Sequence, residues 1–385
     1  MTQSERSRGN PRLAQIVPGF TQPFFQAGLA GYSDGAMRLV ARRHGCPYCV
    51  TEALHAATLV RGGKGLAKTD PDCWEEPIET DSAALDCGGG ELVDNCAAGL
   101  DDHPLAAQII GCDPDVMAAA ARRLGEMRFE VIDVNLACPA KKARRQLLQG
   151  GNLLAHSERA IEILRAVRAA VPASQPMTVK LRRAYDDGPE YERHFERIFN
   201  AAFELGCAWV TVHARTVVQR YDGSADWSFL RALTRRYPDR LVFGSGDVAT
   251  AFDVLRMLDE CGVAAVAIAR GCIGNPWIFR QTAQLLTGRA PTAPTIEEMG
   301  AALRLHCELC VRLHGPEVGG RLMRKFGIKF AALDGARVEQ LRAAFIRASS
   351  LADWWDVLAE YFPTATAAVA PIEASDAIPS RRSGS

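Results

Sequence analysis

The sequence predicts an α/β chain: a (β/α)8 TIM barrel followed by a C-terminal all-helical domain. Three observations carry this. Short β-rich runs alternate eight times with stretches of helical period, and near Thr295 the β runs cease and only helical patterns remain. The third is size: 385 residues, 48% hydrophobic and 23% charged, hold enough apolar material for one barrel and an appendage. Such a composition excludes a largely disordered or fibrous protein.

The eight runs are PFFQAG (23–28), YCVTEA (48–53), AAQIIG (106–111), VIDVNL (131–136), MTVKLR (177–182), WVTVHA (209–214), LVFGSG (241–246) and AAVAIA (264–269). Amphipathic segments follow most of them: DVMAAAARRLGEM after the third, ERAIEILRAVRAAV after the fourth and AFDVLRMLDECG after the seventh. The barrel is expected over residues 18–290. GRAPTAPT is the expected linker, because closely spaced prolines disfavour a continuing helix. Residues 295–362 then read as helical throughout, in MGAALRLHCELCVRLHG, GGRLMRKFGIKFAAL, RVEQLRAAFIRA and LADWWDVLAEYF. Residues 1–17 and 363–385 lack period and are expected to be disordered. Residues 63–103, acidic and Gly-rich with Cys73, Cys87 and Cys96, read as a long excursion from the second βα unit.

Lys+Arg and Asp+Glu are equal at 45 each, so no global field draws the chain to nucleic acid or anionic lipid, and RNA binding must rest on local charge. No apolar run approaches the roughly 18 residues of a membrane span. Twelve cysteines are dilute in a chain this long, and the start MTQSERSRGNPRLAQ lacks the layout of a secretory signal, so a reducing cytoplasm is expected. Nothing marks an obligate protein partner.

Barrel chemistry sits on the loops at the C-terminal ends of the strands. After the fourth run comes Cys138, before Pro139 and beside Lys141 and Lys142. That electropositive setting suits a functional thiol, and an inconsequential loop cysteine is the equal alternative. Cys46 and Cys49 form a C-x-x-C, but a helical segment precedes it and a strand follows, the reverse of the redox arrangement. Cys307 and Cys310 lie one helical turn apart and lack the second half of a zinc site. No metal is expected.

Four segments in order, VNLACPAKKARRQLLQGGNLL, TVHARTVVQRYDGSADW, FGSGDVATAFDVLRMLDECGVAAVAIARGCIGNPWIF and RLMRKFGIKF, resemble the tRNA-dihydrouridine synthases. The likeness runs from about Phe24 to Phe362. It implies an enzyme that holds FMN at the barrel mouth, reduces it with NADPH, and passes hydride to C6 of a uridine in tRNA or another structured RNA. Cys138 occupies the place of the cysteine that protonates C5. A thiol suits this step: C5 gains carbanion character, and an acid of pKa near 8.5 delivers its proton at neutral pH.

For the flavin the resemblance implies Gly28, Leu29, Ala30, Gln108, Lys180, His213, Ser245, Gly246, Asp247, Ala269 and Arg270. Lys180, in phase with Thr178 on one strand face, would place a cation near the N1/C2 edge of the ring. Gly244–Asp247 and Ala269–Gly271 stand where barrels usually hold phosphate. For RNA it implies Asn135, Lys141, Lys142, Arg144, Arg182 and Arg215; on the helical domain Arg321, Arg324, Lys325 and Lys329 fall at near-helical spacing, either one basic strip against RNA phosphates or, equally, a solvated face. Ala137 replaces the family's glycine before the cysteine, Gly28 its proline, and Ser245 and Asn152 its customary residues, marking a divergent member. Two rival readings remain: an FMN-dependent reductase of a free small molecule, and a non-catalytic RNA-binding paralogue.

Overall fold

The computed structural model describes residues 10–61, 102–127, 129–139 and 148–363. The strands are β1 (Phe24–Gln26), β2 (Cys49–Val50), β3 (Leu54–His55), β4 (Leu105–Ile110), β5 (Val131–Leu136), β6 (Met177–Ala184), β7 (Val210–Thr216), β8 (Val242–Ser245) and β9 (Ala265–Ile268). Every pairing is parallel. β1 pairs with β9 and β2 with β4, so the sheet closes on itself. β2 meets Leu105 and Ala106 of β4 while β3 meets Ile109 and Ile110, making the two short strands successive halves of one stave. The result is an eight-staved barrel, and the run YCVTEA continues into β3 before its helix begins.

Three crossover helices fall where apolar residues recur every three to four positions: Pro114–Gly125, Ser157–Ala170 and Ala251–Cys261, the last opened by a Thr250/Asp253 capping box. Their apolar faces and the outward-facing strand residues make the larger core. A second core fills the lumen at the N-terminal end, where Tyr48 stacks on Phe20 with centroids 4.6 Å apart and Trp209 on Phe243 at 4.9 Å. Chemistry is thereby confined to the opposite end.

One expectation is corrected at the N-terminus. Pro11–Ile16 is a helix whose Asn10 cap accepts the Arg12 N–H, and Leu13, Val17 and Phe20 are buried as a plug under the barrel. One turn and a half is too short to show a helical period; its legible signal is the Asn-Pro pair, a capping side chain before proline at the first helical position.

Beyond the barrel lie helices Ile296–Ala331, Val338–Arg347 and Leu351–Tyr361. A Thr295/Glu298 capping box starts the first, which is broken at Gly315 before Pro316, where proline removes a ladder hydrogen bond. Phe345 stacks on Trp354 at 4.8 Å across Gly327. Of the acidic excursion, Asp102 and His103 are described; Asp102 is buried and accepts from Nε of Arg38 (2.6 Å) and of Arg42 (2.9 Å).

Candidate active site

β5 directs Asp133 and Asn135, two residues apart and so on one face, toward the lumen, and Thr178 and Lys180 of β6 lie beside them. The side chains join in a chain. Asp133 accepts from Thr178 Oγ1 at 2.6 Å and from Gln108 Nε2 at 2.7 Å. Because a carboxylate only accepts, Gln108 turns its Oε1 to Asn135, whose Nδ2 donates at 2.6 Å. Asn135 Oδ1 is left facing the backbone and accepts the N–H groups of Ala137 (2.9 Å) and Cys138 (3.0 Å). A buried carboxylate thus orients two amides and, through them, the turn that carries Cys138 half-exposed at the barrel mouth. Ala137 has no left-handed backbone, so its methyl group is tolerated where the family has glycine.

Lys180 lines a recess with Gly28, Gln108, Asp133, Thr178, Thr211 and Ala267. Burial, reinforced by Arg182, pulls its ammonium down to about 8 against the opposing pull of Asp133 and Cys138. Gly28 suits this place because a Cβ there would stand 2.4 Å from the carbonyl oxygen of Thr51; the proline customary in the family would collide with the second stave.

Next to the recess is a cavity of about 300 Å³ lined by His213, Ser245, Gly246, Asp247, Val248, Ala249, Ala267, Ala269, Arg270 and Gly271. His213 is 8% exposed and its Nε2 has no hydrogen-bond partner among the described residues. Burial, with Lys180, Arg182, Arg215 and Arg270 nearby, drives its pKa to about 2, so the imidazole is neutral. Arg270 reaches over the Tyr221 ring at 5.0 Å with its side chain more than half exposed. A half-buried cation, an imidazole nitrogen without a partner among the described residues and a largely exposed guanidinium 3.7 Å from the Asp247 carboxylate border the recess and the cavity, and suit an anionic, planar guest.

Several expected roles are corrected by burial. Arg182 is 2% exposed and donates to the carbonyls of Ala137 (2.8 Å), Thr216 (2.8 Å) and Arg220; it ties together the ends of β5 and β7 instead of presenting itself to RNA. Arg215, equally buried, is held by the carbonyls of Asp222 and Gly223 and by both carboxylate oxygens of Asp247, at 2.6 and 2.8 Å. Asp247 also accepts the Ala225 N–H at 2.7 Å. Its carboxylate braces the β7 loop, and the residue lines the cavity. Asn135 likewise serves the Cys138 turn where an RNA contact was expected.

Of the helical-domain cations, Arg321, Arg324 and Lys329 are exposed and Lys325 is half-buried; Arg321 pairs with Glu317 at 3.9 Å, Arg324 donates to the carbonyl of Ala348 and Lys325 to that of Gly31. Lys141, Lys142 and Arg144 lie outside the described residues, as do Cys73, Cys87 and Cys96. Leu29 and Ala30 follow Gly28 at the rim. Sequence reasoning assigned no role to Asp133 or to Glu52. For Asp133 the available signal was its two-residue phase with Asn135; Glu52, whose partner Gly31 lies 21 positions away and is in turn reached by Lys325 from 294 positions away, left none.

Among the described residues no group of side chains could hold a metal ion, and no helix is long and apolar enough to cross a membrane. Cys46 and Cys49 are buried thiols with sulfurs 3.7 Å apart at the closed end of the barrel, and Cys307 and Cys310 are buried in the first helix beyond it.

The chain is similar to a probable tRNA-dihydrouridine synthase of Mycobacterium tuberculosis, 37% identical over 229 residues that make up 58% of each chain. It thus spans less than two thirds of that relative. A probable tRNA-dihydrouridine synthase of Treponema pallidum is 30% identical over 88% of this chain and 93% of its own. The tRNA-dihydrouridine synthase B of Shewanella oneidensis is 29% identical over 87% and 94%. Among solved structures, the barrel is similar to histamine dehydrogenase from Rhizobium sp. 4-9, with TM-score 0.52, 13% identity and coverage of 80% of this chain and 51% of that one. A 2-naphthoyl-CoA reductase gives TM-score 0.50, 11% identity and coverage of 80% and 56%. At these identities the likeness concerns the fold alone. The family model for dihydrouridine synthase (Dus) matches residues 26–354, and with the barrel and its mouth as described, the chain belongs to the dihydrouridine synthase family.

Proposed function

We propose that this chain reduces uridines of tRNA to 5,6-dihydrouridine in the cytoplasm, with FMN as its bound cofactor and NADPH as reductant. The observation that carries this reading is the nearness of two groups at the ends of neighbouring strands: the Cys138 thiol on a turn held by Asn135, and the half-buried Lys180 ammonium beside Asn135, close enough for Cys138 to oppose the fall in its pKa. FMN bound there would supply a hydride to C6 of the uracil ring, replenished from NADPH.

The residues present fit such a cofactor. Lys180 offers positive charge to the electron-rich edge of the ring, and His213 offers a neutral imidazole whose Nε2 has no partner among the described residues. Ser245, Gly246, Ala269 and Arg270 line the adjoining cavity at the usual phosphate position of a barrel. Cys138 donates its proton to C5, and the Asn135 and Arg182 bonds to its turn keep the sulfur at the mouth. Tyr221, 54% exposed beside His213 and Arg270, presents an aromatic face at the rim, and the exposed Arg321 and Lys329 on the helical side are available to RNA phosphates.

The test uses purified protein, FMN, NADPH and tRNA transcripts lacking modification. Dihydrouridine is read by mass spectrometry as a gain of two hydrogens. Cys138→Ala is expected to keep the flavin spectrum and NADPH oxidation while losing about 10²–10⁴-fold in product, the usual worth of a positioned acid. Equal product from both proteins would remove Cys138 from the reaction.

A further inference from the structure

The turn that follows Gly28 is a small closed unit. Leu29 N–H donates to Ser33 Oγ at 2.8 Å, and the Leu29 carbonyl receives the N–H groups of Tyr32 and Ser33, each at 3.0 Å. Displacing any part of it therefore bears on the preceding Gly28, which lines the recess of Lys180. The Gly31 peptide groups lie inside this turn and have no strand to pair with, so they need partners from elsewhere. They are found on two remote parts of the chain. Glu52, 3% exposed between the two halves of the second stave, accepts the Gly31 N–H at 2.8 Å. Lys325, on the long helix beyond the barrel, donates to the Gly31 carbonyl.

We infer that Glu52 and Lys325 are paired positioning residues that grip Gly31 from its two ends, so that the seating of the helical domain sets the cofactor turn at the barrel mouth. Docking of the domain does not itself require the lysine there. Tyr32 and Phe326 already meet edge to face at 5.7 Å, and His314 Nε2 bonds Asp34 Oδ2 at 3.0 Å three residues along the turn. The Lys325 ammonium lies 4.8 Å from the Tyr32 ring and 5.2 Å from that of Phe326, so its stem is guided between aromatic faces to a backbone oxygen and away from the RNA-facing exterior. Glu52 adds a second sign of design by charge: burial raises its carboxyl to about 7, while the Gly31 N–H and Lys325 favour the charged form. The charged Lys325, and Glu52 in its ionised form, make hydrogen bonds to the two peptide groups of Gly31 roughly twice as strong as neutral ones.

This inference rests on the flavin reading only for the identity of the ligand. The test compares wild type, Lys325→Met, Lys325→Arg, Glu52→Gln and the double variant in three measurements. Hydrogen exchange of peptides covering residues 28–34 is followed in flavin-free protein. FMN affinity is read from flavin fluorescence, and affinity for tRNA from filter binding. Lys325→Met is expected to speed exchange in the turn and weaken FMN binding about tenfold, the loss of one charge-assisted bond. Lys325→Arg should restore both, and the double variant should be less than additive, as groups sharing one partner are. Unchanged exchange and unchanged FMN affinity in Lys325→Met would overturn the proposal, whether or not Glu52→Gln folds. So would weakened tRNA binding with both of those unchanged, which would make Lys325 an RNA contact. If wild type takes up no FMN but Lys325→Met still loosens the turn, the flavin reading fails and the grip on Gly31 stands.

Discussion

Gly151 donates its N–H to the carbonyl of Cys138 at 2.9 Å, so the two ends of the basic segment that separates them in sequence meet at the thiol. Gly150 beside it has φ +57°, and a Cβ there would lie 3.0 Å from the same carbonyl oxygen and 3.2 Å from the Cys138 Cβ. Gly150→Ala is therefore expected to cost about 1–2 kcal/mol through left-handed strain and to shift the Cys138 turn. Thermal melts report the first effect, and the rate of Cys138 alkylation by iodoacetamide the second. An unchanged alkylation rate would separate this glycine from the cysteine.

Asn135→Ala removes the acceptor of two backbone N–H groups and the donor to Gln108. Each buried group left unpaired costs about 1–3 kcal/mol. Product formation should fall by at least about tenfold per 1.4 kcal/mol of lost turn stability, with FMN affinity changing far less. The comparison is a titration of FMN against single-turnover product yield; equal losses in both would place Asn135 in the cofactor site.

Lys180 predicts a pH dependence with a definite sign. Its pKa is lowered from 10.5 to about 8 in the folded chain. Above pH 10.5 the amine is neutral whether folded or not and contributes no difference. As pH falls from 10.5 to about 8 only the unfolded chain takes up the proton, and the native state loses on the order of 3 kcal/mol relative to a neutral side chain, a loss complete below the folded value. Flavin-free Lys180→Met should thus be the more stable protein in urea at neutral pH, with the gap closing as pH approaches 10.5, and should bind FMN more weakly. A variant less stable than wild type at neutral pH would contradict this.

His213 works the same way at the acid end. With its pKa lowered from 6.5 to about 2, the native imidazole stays neutral through roughly pH 5 to 8, the interval in which an ordinary histidine titrates. Its share of stability is complete above 6.5 and is lost as pH falls toward 2, because only the unfolded chain accepts the proton readily. Imidazole NMR resonances of His213 should not move across that interval; a midpoint near 6.5 would show a solvated ring.

The order of strands and helices was legible because it is written locally, in alternating runs of period two and period three to four, and eight such units admit few closures other than a barrel. The place of Cys138, Lys180 and His213 was legible for the same reason: each ends or occupies a strand whose C-terminal end must face the open mouth. The plug made by Leu13, Val17 and Phe20 was not, since its helix is shorter than the period that would reveal it.

By itself, then, the sequence determined the architecture and which strand ends carry the thiol, the cation and the imidazole. Only the tertiary structure decided what the charged side chains do. Arg182, Arg215, Asp247 and Lys325 look alike as charges available to cofactor or RNA when read along the chain, but each is bound to groups brought near by folding: Ala137 and Thr216, the Asp222–Gly223 carbonyls, the Ala225 N–H, and Gly31. A charge taken from water must find partners at hydrogen-bond distance, and in a barrel those partners come from neighbouring staves and the packed helical domain, which no local pattern records.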